Sequence, residues 1–249
     1  MPAAGSLRVG RFHADYLVPA AHPEAEGVRS RLDQAARGAL LRGLRRTLAP
    51  LLDTSDESVW LIRRLHVELE VGAEWDGDRV ARAWAAQIAR ALGRALAEGR
   101  SGPDAAVWGD PGEGVLRFPD RAAYLARFLA DLAAGDAWRK WYYAAFDGLR
   151  PLSASAALRT AVCDDAATGL RALLALPDAE RRRVVERLTP NDARRLLDAL
   201  PAGERGGDPA RGWDELRRAW DALPPHAPAA DAEARAALEL YLRACAGEP

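Results

Sequence analysis

The sequence predicts an α+β fold: a small βαβα(β) N-terminal unit with a two- to three-stranded sheet, followed by an all-α array of short helices. Apolar and polar residues alternate from Val59 to Val71, a pattern typical of a strand with one buried face. An apolar residue recurs at every fourth position in residues 80–96, which indicates an amphipathic helix. After Pro119 the apolar spacing is helical, and glycine or proline ends the segments. The predicted parts are residues 1–118, the short-helix array 119–203 and a C-terminal helical extension 204–249.

The predicted N-terminal unit begins with an extended segment from Leu7 to Val18. Its period of two changes phase at Gly10, where a bulge would re-aim the side chains. Residues 24–52 then show apolar spacings of three and four, which predict a helix, and residues 114–118 are expected to form a short third strand. A right-handed βαβ crossover would make the strands at 7–18 and 59–71 parallel.

Capping residues predict where the later helices begin and end. Aspartate and serine side chains accept hydrogen bonds from the first free N–H groups of a helix, and glycine adopts the left-handed conformation that ends one. Asp76 or Asp78 is predicted to cap the helix that contains residues 80–96, and Gly135 is predicted to end a helix at 120–134. An aromatic helix is predicted to begin at the cap Asp136 and to end at Gly148 and Pro151. Ser153 or Ser155 is predicted to cap a further helix that runs to Cys163.

A weak internal repeat follows. Its three units open at Asp165, Asp178 and Asp192, and each is expected to have an acidic cap, one apolar stripe and a terminal leucine followed by Pro or Thr-Pro. Helices of two or three turns are not stable alone, so these units must stack on one another or on the preceding residues. Beyond a linker at 204–209, two more amphipathic helices are predicted at 213–223 and 231–246.

Composition and charge argue against several classes of function. The formal net charge is −1, so the chain has no overall attraction for nucleic acid or for an anionic membrane surface. Two isolated cysteines without a CxxC pair, together with the lack of any run of about 18 apolar residues, predict a reduced, cytoplasmic chain without a membrane span. The four histidines are scattered, which does not suit a metal site.

No combination of residues predicts a catalytic centre or a cofactor site. Asp131 and the pair Asp164–Asp165 are interpreted as helix caps or solvated faces rather than as acid–base pairs. Cys163, at the apolar end of a helix, is interpreted as a small buried residue rather than a nucleophile. We therefore expect a protein that is not an enzyme and that needs no cofactor or metal.

The most distinctive stretch is the aromatic block between residues 118 and 146. One interpretation is a buried helix face formed by residues 138, 141, 142, 145 and 146, with Tyr143 off the stripe as the exposed ring. The alternatives are an exposed patch for a protein partner and a stacking platform for bases or sugars. The candidate interaction residues are Trp138, Arg139, Lys140, Trp141, Tyr142, Tyr143 and Phe146.

This block also carries a family resemblance. Residues 115–162, VLRFPDRAAYLARFLADLAAGDAWRKWYYAAFDGLRPLSASAALRTAV, resemble a segment of the tape measure proteins of bacterial contractile injection systems, the phage-tail-like machines that fire a tube through a sheath. The strand WLIRRLHVELEV and the helix RVARAWAAQIARAL precede the block, and the helix TPNDARRLLDAL follows it. The pieces stand in the family's order between Val59 and Leu200, about 140 of the 249 residues.

The resemblance implies a structural or assembly protein that acts through protein–protein contacts in tube or baseplate assembly. The expected partners are other proteins, with tube, sheath and baseplate subunits as candidates, and not nucleic acid. A helical adaptor or regulatory module of a bacterial signalling or defence system is the alternative, in which the helical array binds a peptide or partner domain. An enzyme would need a pocket of perturbed titratable groups, which these residues do not predict.

Overall fold

The computed structural model describes residues 8–19, 22–49, 57–72, 74–100, 114–200 and 228–247. These residues form the predicted α+β structure, which is mostly helical and has one two-stranded sheet. The chain divides into two compact units, with the boundary between Arg117 and Phe118. The predicted linker at 204–209 and the predicted helix at 213–223 lie outside the described residues. Among the helices that are described, none is both long and apolar enough to cross a bilayer.

The sheet pairs strand β1 (Val59–Ile62) with strand β2 (Val115–Phe118) in antiparallel order. The short strand predicted at 114–118 is thus confirmed as the partner of β1. The sequence predicted a longer β1, but its pairing ends at Arg63, whose N–H donates to the Gly114 carbonyl oxygen at 2.8 Å. Residues 64–71 still alternate between exposed and half-buried positions after the ladder has stopped, because Leu65 and Val71 pack against the helices.

The strand predicted at 7–18 is wrong for the residues that the structure describes. Residues 8–19 form no helix or strand, so the parallel pairing expected with residues 59–71 is wrong as well. Aromatic side chains, rather than the backbone hydrogen bonds of a sheet, attach this segment to the helix that contains Trp84. Phe12 and Tyr16 contact Trp84 edge-on, with ring centroids 5.5 and 6.4 Å apart.

The helix predicted at 24–52 is confirmed over residues 25–48, with a π-helical turn in its middle. Helix α1 (Ala25–Gln34) passes through a π segment (Ala35–Ala39) into helix α2 (Leu40–Leu48). Apolar residues spaced by four drift around an α-helix of 3.6 residues per turn, and the wider π turn corrects this drift. Buried residues therefore stay on one side of both halves: Val28, Leu32, Ala35, Leu40, Leu44 and Leu48.

Helix α3 (Gly77–Arg100) packs against α2 across small residues. The side chain of Asp76 accepts a hydrogen bond from the Arg79 N–H at 2.6 Å and so provides one of the two predicted caps. A Cβ atom placed on Gly43 of α2 would lie 3.3 Å from the Cβ of Ala85, which itself is fully buried. Glycine at this position therefore permits the close approach of the two helices.

The second unit is built around helix α4 (Arg121–Ala134), which packs against three of the helices that follow. Asp120 caps its start by accepting from the Ala123 N–H at 2.7 Å, and Gly135, at φ 89°, ends it as predicted. Two 3₁₀ helices follow, described below. The remaining helices are α5 (Ala154–Cys163), α6 (Ala166–Ala175), α7 (Asp178–Arg187), α8 (Pro190–Ala199) and α9 (Pro228–Ala246).

The predicted repeat corresponds to α6, α7 and α8. Each helix is followed by a buried leucine in extended conformation, respectively Leu176, Leu188 and Leu200. The acidic caps are confirmed only for Asp165 of α6. Pro177 precedes α7 without a side-chain cap, and Thr189 caps α8 because Pro190 occupies its first position. The helices predicted to stack do so: α7 and α6 pack on α4, α8 packs on α5, and α9 packs on α7 and α8.

The absence of a side chain at Gly169 allows α6 to approach α5 closely, and a substitution there tests this packing. A Cβ atom at this position would overlap the Val162 carbonyl oxygen and lie 2.7 Å from Val162 Cγ1, so Gly169→Ala should lower the free energy of unfolding by about 1–3 kcal/mol. Gly27→Ala is the matched control, because it adds a methyl group to α1 in open space and should raise the free energy by about 0.4–1 kcal/mol. Urea denaturation measures both, and equal effects of the two substitutions would contradict the packing argument.

Candidate protein-interaction site

The predicted interaction residues do not form one α-helix. They lie on two 3₁₀ helices, Ala137–Arg139 and Trp141–Leu149, which Lys140 separates with an extended backbone at φ −99° and ψ 124°. Asp136 precedes the first of these helices but makes no side-chain capping hydrogen bond, contrary to the prediction. The segment is therefore tighter than the helix that the sequence predicted, and it turns at Lys140.

The prediction that Tyr143 is the exposed ring of the block is wrong. Tyr143 is only 1% exposed, whereas Ala145, assigned to the buried face, is exposed. A 3₁₀ helix has about three residues per turn, so positions three apart share a face. Tyr143 and Phe146 share such a face and point toward the interior. Lys140 points the same way from the extended link, and the backbone leaves the 3₁₀ conformation again at Tyr143, at φ −99° and ψ 19°, so a single period of 3.6 residues does not predict the pattern.

The buried rings of the block form an aromatic cluster with rings of α4. Phe128 stacks on Phe146 with centroids 3.8 Å apart and meets Tyr143 edge-on at 5.1 Å. Tyr124 contacts Phe146 and Tyr143 at 5.3 and 6.0 Å. Each such aromatic pair contributes about 0.5–1.5 kcal/mol beyond the burial of its area. This cluster fixes the 3₁₀ segment on α4.

A buried carboxylate lies at one side of the aromatic cluster. Asp131 of α4 is 7% exposed, and its Oδ2 atom lies 2.5 Å from Lys140 Nζ and 3.3 Å from Arg127 Nε. The Tyr143 hydroxyl donates to the same oxygen at 2.6 Å. Asp131 was expected on a solvated face, and that interpretation is wrong. The signal in the sequence is an aspartate within the apolar stretch of α4 together with the only lysine of the chain.

Burial raises the pKa of the Tyr143 hydroxyl, and the hydrogen bond to Asp131 and its negative charge raise it further. Burial likewise raises the pKa of Tyr124, whose hydroxyl donates to the Tyr142 carbonyl oxygen at 2.5 Å. Both phenols therefore stay protonated over the physiological pH range and act as hydrogen-bond donors that connect α4 to the 3₁₀ segment.

A second polar cluster joins α5 to the turn before α8. The Ser155 hydroxyl donates to Asp192 Oδ2 at 2.5 Å and accepts from the Thr189 N–H at 2.7 Å, while Arg159 Nη1 lies 2.7 Å from Asp192 Oδ1. Burial alone would raise the pKa of Asp192, but the hydrogen bonds from Ser155 and Thr189 and the charge of Arg159 outweigh it and lower the pKa. The cluster is thus a stable, ionised link between helices.

The outer side of the aromatic block combines tryptophan and arginine. Trp138 and Trp141 are half-buried, and the Arg139 side chain is 85% exposed. The Arg150 guanidinium lies over the Trp138 ring at 5.6 Å, and its Nη2 donates to the Trp138 carbonyl oxygen at 3.3 Å. Tryptophan and arginine on a rigid support are the residue types that dominate the binding energy of protein interfaces.

Other residues considered in the sequence do not converge. His66 is exposed and lies 3.3 Å from Glu68, and within the described ranges no group of three His, Cys, Asp or Glu residues could hold a metal ion. Cys163 is half-buried, and burial raises the pKa of its thiol, which disfavours the reactive thiolate. Comparisons with protein-family models, with characterised proteins and with solved structures find no match for this chain.

Replacing Lys140 tests the buried carboxylate. Lys140→Met keeps the length of the side chain but leaves Asp131 with Arg127 and Tyr143 alone, so the free energy of unfolding should fall by about 3 kcal/mol. Arg139→Met is the control, because this neighbouring cation is exposed and its loss should change the free energy by at most about 0.5 kcal/mol. Thermal and chemical denaturation of both variants give the comparison. An unchanged free energy of unfolding in Lys140→Met would show that the ion pair between Lys140 and Asp131 does not contribute to stability.

The lowered pKa of Asp192 predicts how stability depends on pH. The unfolded carboxyl, with a pKa of about 3.9, binds a proton before the folded one does, so the contribution of Asp192 is complete above about pH 4 and is lost as the pH falls through the folded pKa. Asp192→Asn should therefore lower stability at pH 7 and flatten its decline as the pH falls below about 4. Denaturant titrations across this range measure both slopes, and parallel curves would contradict the assignment.

Proposed function

We propose that this chain is a non-enzymatic structural or assembly protein, similar in role to the tape measure proteins of contractile injection systems, that acts by binding other proteins. The observation that carries the proposal is the outer side of the aromatic block. Trp138 and Trp141 are held half-buried on a short 3₁₀ segment that the buried aromatic cluster fixes to α4. A preorganised aromatic surface loses little conformational entropy when a partner binds.

The use of the buried acids supports the same proposal. Asp131 and Asp192 are engaged by cations and hydroxyl groups that connect neighbouring helices. A general acid or base needs a carboxyl that can exchange its proton with a substrate, whereas these two carboxylates are enclosed by their partners. Within the described residues their arrangement favours a scaffold role.

A helical adaptor of a signalling or defence system is the second candidate. The three similar units α6, α7 and α8, each closed by a buried leucine, favour it, because stacked short repeats are a common scaffold for binding peptides and domains. The two candidates predict different partners for the same chain.

Purification of the tagged full-length chain from its native host, followed by mass spectrometry, distinguishes them. Sheath, tube or baseplate subunits are the expected partners. The interaction with the recovered subunit should weaken at least about tenfold in Arg139→Glu, which changes the exposed charge beside the tryptophans.

Arg183→Glu is the matched control, since Arg183 is exposed on α7, away from the aromatic block in sequence, and its replacement makes the same change of charge. A stable signalling or defence partner would instead favour the adaptor. If Arg139→Glu and Arg183→Glu bind the partner with equal affinity, the aromatic block is not part of the interface.

A further inference from the structure

The residues after β1 show the alternating exposure of a strand but pair with no strand of the described chain. From Leu65 to Val71 the odd-numbered residues are half-buried and the even-numbered ones are exposed, the alternation of a one-sided strand. Leu65 packs against the cluster around Leu40 and Leu44, and Val71 packs against the cluster around Val28 and Leu32. The helices of the N-terminal unit thus hold one face of this segment in place.

Within the part of the chain that the structure describes, the backbone of the segment has no pairing partner. Beyond the bond from Arg63 to Gly114, no backbone–backbone hydrogen bond joins residues 64–71 to the rest of the described chain. Residues 8–19 lie on the same helical layer through Tyr16, yet they provide no ladder. A fixed row of unpaired N–H and C=O groups is a template for adding another strand.

The exposed polar side chains of the segment are complementary about Val67, with a cation or a histidine on one side and carboxylates on the other. Arg64 and His66 precede it, and Glu68 and Glu70 follow it at matching distances. Placed antiparallel to a second copy with Val67 opposite Val67, Arg64 faces Glu70 and His66 faces Glu68, twice each. A parallel, in-register arrangement would instead put like charges directly opposite each other, which is unfavourable.

We propose that residues 63–71 form the pairing edge of a symmetric homodimer, in which two copies of this segment join as antiparallel strands centred on Val67. The apolar face agrees with this register, because Leu65 then lies opposite Leu69 on the side that packs against the helices. Such a two-fold contact uses the same patch on both copies, and this is the symmetry that a self-complementary charge pattern requires.

The charges provide the first test. In Glu70→Arg, two arginines face each other at each end of the paired segment, so the dissociation constant of the dimer should rise roughly tenfold. The double exchange Arg64→Glu/Glu70→Arg restores opposite charges and should return the dissociation constant to its original value. Glu57→Arg makes the same change of charge outside the paired register and should leave the dimer unchanged. Sedimentation velocity of the full-length chain over a concentration series measures each dissociation constant.

The symmetry provides the second test. Directly opposed residues of antiparallel strands have Cα atoms about 4.5 or 5.5 Å apart, and a disulfide accepts both distances. In a chain with Cys163→Ala and Cys245→Ala, Val67→Cys should therefore give a disulfide-linked dimer under mild oxidation. Leu69→Cys is the control on the same face, because its two copies would be roughly 14 Å apart along the strands, four residues at about 3.4 Å each.

We expect a dimer that is weakened by Glu70→Arg and restored by the charge exchange. We also expect a disulfide between two copies of position 67 and none between two copies of position 69. A chain that stays monomeric at all concentrations and forms no disulfide at position 67 would overturn the proposal, whether the edge is covered by another part of the chain or by water. A dimer whose dissociation constant is unchanged by the charge variants and that forms no disulfide at position 67 would overturn it too, because another surface would then join the two copies.

Discussion

A buried carboxylate determines much of the geometry of the second unit. Burying an ionised group without partners costs several kcal/mol, so Asp131 must have cations and hydrogen-bond donors at hand. Lys140 reaches it only because the backbone leaves the helical conformation at that residue. The turn at Lys140 places Tyr143 and Phe146 under α4, and the tryptophans on either side of it remain at the surface.

Similar links hold together helices that are too short to be stable alone. Ten-residue helices have little intrinsic stability, so contacts between them must provide it. The Ser155, Thr189 and Asp192 groups join α5 to the start of α8, and the Arg235 side chain of α9 donates to the Leu188 carbonyl oxygen at 2.8 Å. The last interaction also satisfies a carbonyl group at the end of α7 that the helix itself leaves without a partner.

Local signals predicted the helices well and the tertiary pairings poorly. Asp120, Gly135 and Ser153 act through hydrogen bonds and dihedral angles within a few residues, so the sequence alone locates these three helix ends. The caps predicted at Asp136, Asp178 and Asp192 are not formed. The inward position of Tyr143 depends on Asp131, twelve residues away, and no local period contains that information. Alternation after Val59 correctly indicated one covered face, but pairing depends on a second strand, which alternation does not specify.

The position of the only lysine has a practical consequence for anyone who maps the contacts of this protein. Reagents that acylate primary amines are the common choice for labelling and cross-linking, and Lys140 is the only side chain here that carries such an amine. Its Nζ atom lies against Asp131, and only 17% of the side chain is exposed. Carboxyl- or arginine-directed chemistry would report on the surface of the folded chain, whereas acylation of Lys140 would report on how often α4 and the 3₁₀ segment separate.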